Sequence, residues 1–271
     1  ISLGLVGSEM CIRDRPLDAY TDEELKVLAN YEGFSATTNW DGEILSWQDA
    51  DAALQIHNRW TEPALLKRVG NSMVEFCPSN AYVEDWRAQP TSAGSLIGLR
   101  LLEEREISSD TIRHRGGGLI VCGDFAGLVL GRAEEIFKPL LQTTLYSLVG
   151  EASGDIGRLR SLFNFETSMA KGSIEEGFKV NISTKANRLG QIIFPLDGFE
   201  APCTFQHAIL GEIEIVRQKL IINGQACERL FTIDTIEKQL EFNQSTPVTK
   251  ETATWFERES VTLTRYSELL F

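Results

Sequence analysis

The sequence predicts an all-β (mainly) fold: two antiparallel meander barrels, with short helices at the N-terminus and between the halves. Three observations point to it. Short runs of β-forming residues follow one another with turn residues between them. Two-residue hairpin connections stand at Gly70-Asn71 and Asn223-Gly224. One interval of helical period, residues 133–148, separates two strand-rich halves. A long meander that curls on itself closes into a barrel and so removes its unpaired edges.

Residues 21–30 (TDEELKVLAN) open with a helix. Thr21 can cap it, Asp22, Glu23 and Glu24 fill its first turn, and Leu25, Leu28 and Ala29 form one apolar stripe. Beyond it the period changes. Residues 43–50, 65–69, 72–77 and 81–88 read as strands, with turns at Gly70-Asn71 and Pro78-Ser79-Asn80. Residues 95–105 and 111–132 continue the meander, the second broken at Gly123-Asp124. Ile136, Leu140, Leu141 and Leu145 have helical spacing, with Pro139 set to kink or divide that helix.

The small, polar stretch 150–157 reads as a linker. A first barrel with flanking helices is therefore expected over 16–150 and a second over 151–271. The second half offers strands at 162–169, 177–184, 190–194, 205–210, 212–222, 226–234, 252–258 and 261–266. Asn223-Gly224 is the clearest turn, because a type I′ hairpin needs positive φ at both central residues. One internal echo links the halves: Leu28-Ala29-Asn30-Tyr31-Glu32 is similar to Leu162-Phe163-Asn164-Phe165-Glu166.

The chain has 271 residues, a mass of 30.3 kDa, a formal net charge of −13 and a pI near 4.8. Such acidity argues against duplex nucleic acid or an anionic membrane as a partner. No apolar run reaches about 18 residues, so no transmembrane helix is expected. Residues 1–15 (ISLGLVGSEMCIRDR) resemble the translation of a transposase sequencing adapter over 5–14. They are expected to be adapter-derived rather than native, as in a reading frame from shotgun or metagenomic sequence, with the native N-terminus missing. Beyond them stand Cys77, Cys122, Cys203 and Cys227, none at C-x-x-C spacing, which gives neither a zinc knuckle nor a disulfide framework. A reduced, cytoplasmic chain fits that usage. His57, His114 and His207 share no metal-ligand spacing, and neither a metal nor a cofactor is expected.

Tyr82-Val83-Glu84-Asp85-Trp86-Arg87 is the most informative stretch. Alternation puts Tyr82, Glu84 and Trp86 on one strand face. If that face points inward, a carboxylate lies between two aromatics, and burial would raise its pKa. The plainer reading is a solvent-facing Glu84, or one paired with an Arg. Trp40, Trp47, Trp60 and Trp86 crowd the first ninety residues, as ligand-cavity wall or as simple barrel filling. Arg113-His114-Arg115 sets two guanidiniums on one face, fit for a carboxylate or phosphate, or for pairing with the chain's own acids. Gly116-Gly117-Gly118 precedes a strand rather than a helix, so a bulge or corner is expected there, not a phosphate loop.

Tyr82-Val83-Glu84-Asp85-Trp86-Arg87, the hairpin at 116–132 and the strand and turn at 178–188 resemble the calycin superfamily, to which lipocalins and fatty-acid-binding proteins belong. Within it the arrangement is similar to the fungal casein-kinase-interacting proteins built from two such barrels. The lipocalin G-x-W signature is absent, since neither Gly33 nor Gly42 has Trp two positions on. The resemblance implies a fold and binding of a small molecule or protein, not a reaction.

The function expected is that of a non-enzymatic cytoplasmic binding protein for a small apolar ligand or a protein partner. Trp47, Tyr82 and Trp86 would contact the ligand, with Glu84, His114 or Arg132 as polar anchors. Two alternatives stay open. One is an enzyme using a barrel-interior Glu84 or His114 as general acid or base on a small molecule. The other is an interaction scaffold with no ligand.

Overall fold

A computed structural model describes residues 15–30, 35–42, 44–51, 64–69, 72–77, 83–87, 91–133, 144–207 and 211–241, with Lys250, Thr254, Glu257 and Arg258. The first helix, α1 (Asp22–Leu28), is started by its own sequence. Thr21 Oγ1 accepts from the Glu24 amide at 3.3 Å, and Glu24 Oε2 accepts from the Thr21 amide at 2.8 Å. This reciprocal box satisfies two helix-end donors that would otherwise lack partners.

Strands β1 (Ser35–Trp40), β2 (Ile44–Asp51), β3 (Ala64–Val69), β4 (Ser72–Phe76) and β5 (Val83–Arg87) form a five-stranded antiparallel sheet in chain order. Val69 pairs directly with Ser72, so two residues join β3 to β4, as the Gly70-Asn71 signal requires. The turn itself and the expected turn at 78–80 lie outside the described residues.

A second, nine-stranded sheet takes the rest. It comprises β6 (Gly94–Glu106), β7 (Thr111–Arg115), β8 (Gly117–Cys122), β9 (Phe125–Leu130), β10 (Glu166–Ser173), β11 (Gly177–Ser183), β12 (Cys203–His207), β13 (Gly211–Ile222) and β14 (Gln225–Leu240). Its order is β11-β10-β9-β8-β6-β14-β13-β12, and β7 pairs with the distal half of β6. The chain is thus mainly β, in two antiparallel sheets. The division expected near residue 150 falls inside the larger sheet: β9 pairs β10, and β6 pairs β14, across it.

Between β9 and β10 stand α2 (Leu145–Glu151) and α3 (Ile156–Leu162). Their caps are local: Thr144 Oγ1 accepts from the Ser147 amide at 3.0 Å, and Asp155 Oδ1 from the Arg158 amide at 2.9 Å. Residues 150–157, expected as a linker, are therefore the end of one helix, a turn and the start of the next. The strand expected at 162–169 begins only at Glu166, because α3 runs to Leu162. Residues 190–194 contribute one isolated bridge, Ile192 to Lys179, rather than a strand. Of the strand expected at 252–258, the described residues Thr254, Glu257 and Arg258 are helical, and Thr254 Oγ1 donates to the Lys250 carbonyl at 2.9 Å. Residues 133–143 beyond Ala133, and 261–266, lie outside the described residues.

The larger sheet cannot be flat. Ile193 N donates to Phe178 O on β11, while Lys219 N of β13 donates to Gly198 O and Glu200 N donates to Arg217 O. In a flat sheet the six spacings from β11 to β13 would hold those strands about 29 Å apart. The five residues from Ile193 to Gly198 span at most roughly 17 Å. The sheet must therefore curve enough for this segment to reach from β11 to β13. Gly116 and Gly117, with φ of 71° and 97°, stand at the break between β7 and β8, which pair with successive stretches of β6. A Cβ on Gly117 would lie 2.3 Å from Val129 O, so this glycine also allows β9 to approach.

Among the described residues two apolar clusters stand out. Leu99, Leu101, Leu119, Val121, Leu128, Phe178, Val180 and Phe231 line one face of the larger sheet, with Ile193 and Phe194 of the bridging segment packed among them. Leu25, Leu28, Leu145, Leu148, Leu159, Leu162, Phe163 and Phe165 form the second, among the helices. The echoed segments meet there, each at a helix end: Ala29 caps α1 and Phe163 caps α3. Among the described residues no helix is long and apolar enough to cross a membrane.

Candidate functional site

Four strands set the most unusual feature of the molecule. Register places His114 (β7) opposite Glu104 (β6), Glu104 opposite Arg229 (β14), and Arg229 opposite Gln218 (β13). Directly opposed residues share a face, so the four form one polar row across the sheet. All four are buried, with 6%, 1%, 6% and 0% exposure in that order. The row continues the apolar face. Arg229 and Phe231 are two apart on β14, and Phe231 lies opposite Leu101.

Glu104 is held from two sides. Arg229 Nε donates to Oε2 at 2.8 Å, and Arg113 Nε donates to Oε1 at 3.1 Å. Arg113 reaches it through a bulge: Glu104 pairs with His114 and Arg105 with Ile112, leaving Arg113 as the extra residue. A bulge re-aims a side chain that alternation would send to the other face. Arg113 Nη1 also donates to Gln225 Oε1 at 3.2 Å. Arg113 is thus engaged by the chain's own Glu104, while Arg115 is exposed.

His114 Nδ1 lies 2.7 Å from Gly131 O. A carbonyl only accepts, so Nδ1 carries the proton and Nε2 carries the lone pair. Burial is the largest cause holding this imidazole below its ordinary pKa. The Glu104 carboxylate and the Gly131 carbonyl oppose it, and the Lys185 and Arg229 charges reinforce it. The ring is neutral at pH 7. Its Nε2 makes no hydrogen bond among the described residues.

Beside this row a second buried carboxylate, Glu166, begins β10. Arg188 Nε donates to Oε1 at 2.7 Å, Ser168 Oγ donates to the same oxygen at 2.8 Å, and Lys185 Nζ stands 3.7 Å from Oε2. Burial acts to raise its pKa, but the two cations and the serine outweigh burial and leave it lowered. Ser168 lies opposite Ser183, their hydroxyls 2.9 Å apart. Arg188 further donates to the carbonyls of Ile192 and Ile193, which fastens the bridging segment to the sheet.

On the smaller sheet, buried Glu75 lies directly opposite Glu84, and Trp86 Nε1 donates to Glu84 Oε2 at 3.0 Å. Trp86 lies opposite Met73. The expected ligand set therefore separates into two pairs. Glu84 and Trp86 join on the five-stranded sheet. His114 and Arg132 join on the nine-stranded one, where Arg115 N donates to Arg132 O next to the Gly131 carbonyl that His114 contacts. Arg132 Nε donates to Leu162 O at 2.5 Å, and its guanidinium lies 4.6 Å from the Phe165 ring centroid, tying α3 to the sheet. Tyr82 and the side chain of Trp47 lie outside the described residues.

Sequence reading missed Glu104, Gln218, Arg229, Glu166 and Arg188. Only alternation on β14, with Arg229 two before Phe231, offered a signal for any of them. Comparisons with family models, with curated proteins and with solved structures found no match.

Proposed function

We propose that the chain is a non-enzymatic binding protein whose nine strands wrap as a calycin-like barrel around a small, largely apolar ligand. The observation that carries this reading is the polar row His114, Glu104, Arg229 and Gln218, buried beside apolar rows on one curled face. Small-molecule sites combine a mainly apolar lining with a few convergent polar groups, and this face does so. A structural core gains little from burying such groups, since apolar residues in their place are often as stable. The segment 190–200, bonded to β11 and β13, supports the barrel wrap. The repeated order of helix then hairpin, α1-β1-β2 and α3-β10-β11, supports a tandem relation between the two sheets. Among the described residues four cysteines are free, which favours a reducing compartment such as the cytoplasm.

The test uses a neutral apolar fluorophore, N-phenyl-1-naphthylamine, titrated into the full chain. A saturable rise in its emission is expected, and it should be weakened by Leu101→Arg, which places a charge on the apolar face. Emission that stays at the level seen with buffer contradicts the reading. An enzyme using His114 as general base is the second reading, favoured by the lone pair on Nε2. It requires His114→Asn to abolish turnover of a bound small molecule while leaving its affinity intact.

A further inference from the structure

The larger sheet ends at β12, and among the described residues that edge differs from the other open ones. β12 pairs with β13 on one side, and no group from the described residues bonds the backbone on its other side. Its outer N–H and C=O groups therefore stand ready to pair with another strand. Folded chains blunt such edges with charge, proline or a bulge. β1 and β7 are bulged, β5 carries Glu84, Asp85 and Arg87, and β14 beyond Phe231 is both bulged and charged. Segment 190–193 covers the edge of β11. β12 has none of these devices. Cys203-Thr204-Phe205-Gln206-His207 contains no Lys, Arg, Asp, Glu or Pro, and its register with β13 is unbroken.

The two faces beside this edge have opposite chemistry. On one, exposed Thr204 and Gln206 lie opposite exposed Glu214 and Glu212. Neither of those carboxylates has an ion pair or hydrogen bond among the described residues. On the other face, Phe205 lies opposite Ile213, and Cys203 lies opposite the fully buried Ile215. A strand added to β12 must suit both faces by alternation. Its residues beside Thr204 and Gln206 stand two strand spacings, about 9.6 Å, from the glutamates. A lysine or arginine there reaches in across β12 as the glutamate reaches out. Residues beside Phe205 are matched best by apolar side chains.

We infer that β12 docks an extended, basic segment of a partner protein as a further strand, its cations alternating with apolar residues. The net charge of −13 favours the approach of such a segment. Backbone pairing supplies affinity, and the alternation supplies selectivity. A second copy of the chain is a poorer match. Pairing β12 with itself about a two-fold axis repeats Glu212 and Glu214 on the same face of both copies, with no cation to meet them. The surface lies apart from the buried polar row, and the inference does not depend on the small-ligand reading.

The probe is a capped peptide of alternating lysine and valine, added to the full chain at low salt. It is expected to bind, and alternate amides of β12 should then exchange with deuterium about tenfold or more slowly by NMR. A capped peptide of alternating glutamate and valine should leave that exchange unchanged. Glu212→Gln combined with Glu214→Gln alters two exposed side chains and should weaken lysine–valine binding about fivefold or more. The wild-type exchange experiment stands alone should that variant fail to fold. Absence of binding, binding that leaves β12 exchange unchanged, or binding indifferent to the double variant overturns the inference. Slow β12 exchange together with a doubled mass in the absence of peptide assigns the edge to a second copy, and likewise overturns it.

Discussion

Glu104 and Arg229, 125 residues apart in sequence, lie directly opposite each other on β6 and β14 with Arg229 Nε 2.8 Å from Glu104 Oε2. The pair closes the register of the longest strand pairing in the molecule from within. It also places a charge where the neighbouring positions, Leu101 and Phe231, are apolar. Burying such a pair yields little net stability, but breaking it leaves an uncompensated interior charge.

Glu104→Ala is accordingly expected to cost about 3–5 kcal/mol of unfolding free energy, because Arg229 remains buried without its counter-charge. Glu104→Leu combined with Arg229→Met removes both charges and should recover most of that loss, since Arg113 can turn to solvent. Equilibrium urea denaturation of the single and double variants measures this. Losses that simply add would show that the two residues do not act as a pair.

Stability should fall on mild acidification. His114 takes its proton near its ordinary 6.5 in the unfolded chain and only at lower pH in the fold, chiefly because it is buried. Its contribution is therefore complete above about pH 6.5 and is lost as pH drops from there through the folded value. Glu166, lowered below its ordinary 4.5 by Lys185, Arg188 and Ser168 against the opposing effect of burial, adds a separate loss at more acid pH. His114→Asn, which keeps a donor for Gly131 O, should flatten the slope just below pH 6.5 and leave the acid limb. An unchanged slope in that variant would assign the first transition to another group.

Gly117→Ala should destabilise the fold by about 2 kcal/mol or more, through its positive φ and the contact of a Cβ with Val129 O. Gly150→Ala is the internal control. This residue lies in α2, and the nearest atom to an added Cβ is Lys26 Cε at 3.7 Å. That substitution should stabilise by up to about 1 kcal/mol. Thermal midpoints moving in the same direction for both would contradict the close approach of Gly117 to β9.

Much of the secondary structure was legible because its signals are local. Asn223 and Gly224 take the positive φ values, 52° and 80°, that their dipeptide implies. The capping box at Thr21 and Glu24 and the two-residue β3–β4 connection follow from neighbouring residues too. Helix α3 was passed over because Gly150, Ser153, Gly154 and Gly157 read as a linker, although Asp155 three before Arg158 was a usable cap signal. The polar row was hidden for a different reason. Strict alternation in β6 sets Glu104 opposite in sense to Leu99 and Leu101. A bulge at Leu102, between the Leu101–Phe231 and Glu103–Leu230 pairs, brings it onto their face. A second bulge does the same for Arg113. Neither bulge leaves a mark in the sequence, because each arises from pairing with a distant strand.

The central claim, that a small apolar molecule sits on the inner face of the larger sheet, is tested most directly by methyl NMR. The full chain, labelled at leucine and valine methyls, is titrated with N-phenyl-1-naphthylamine. Shifts should concentrate on Leu99, Leu101, Leu119, Val121 and Leu128, which line that face. Shifts confined to exposed methyls such as Val27 and Val83, or no shifts at all, would contradict the account.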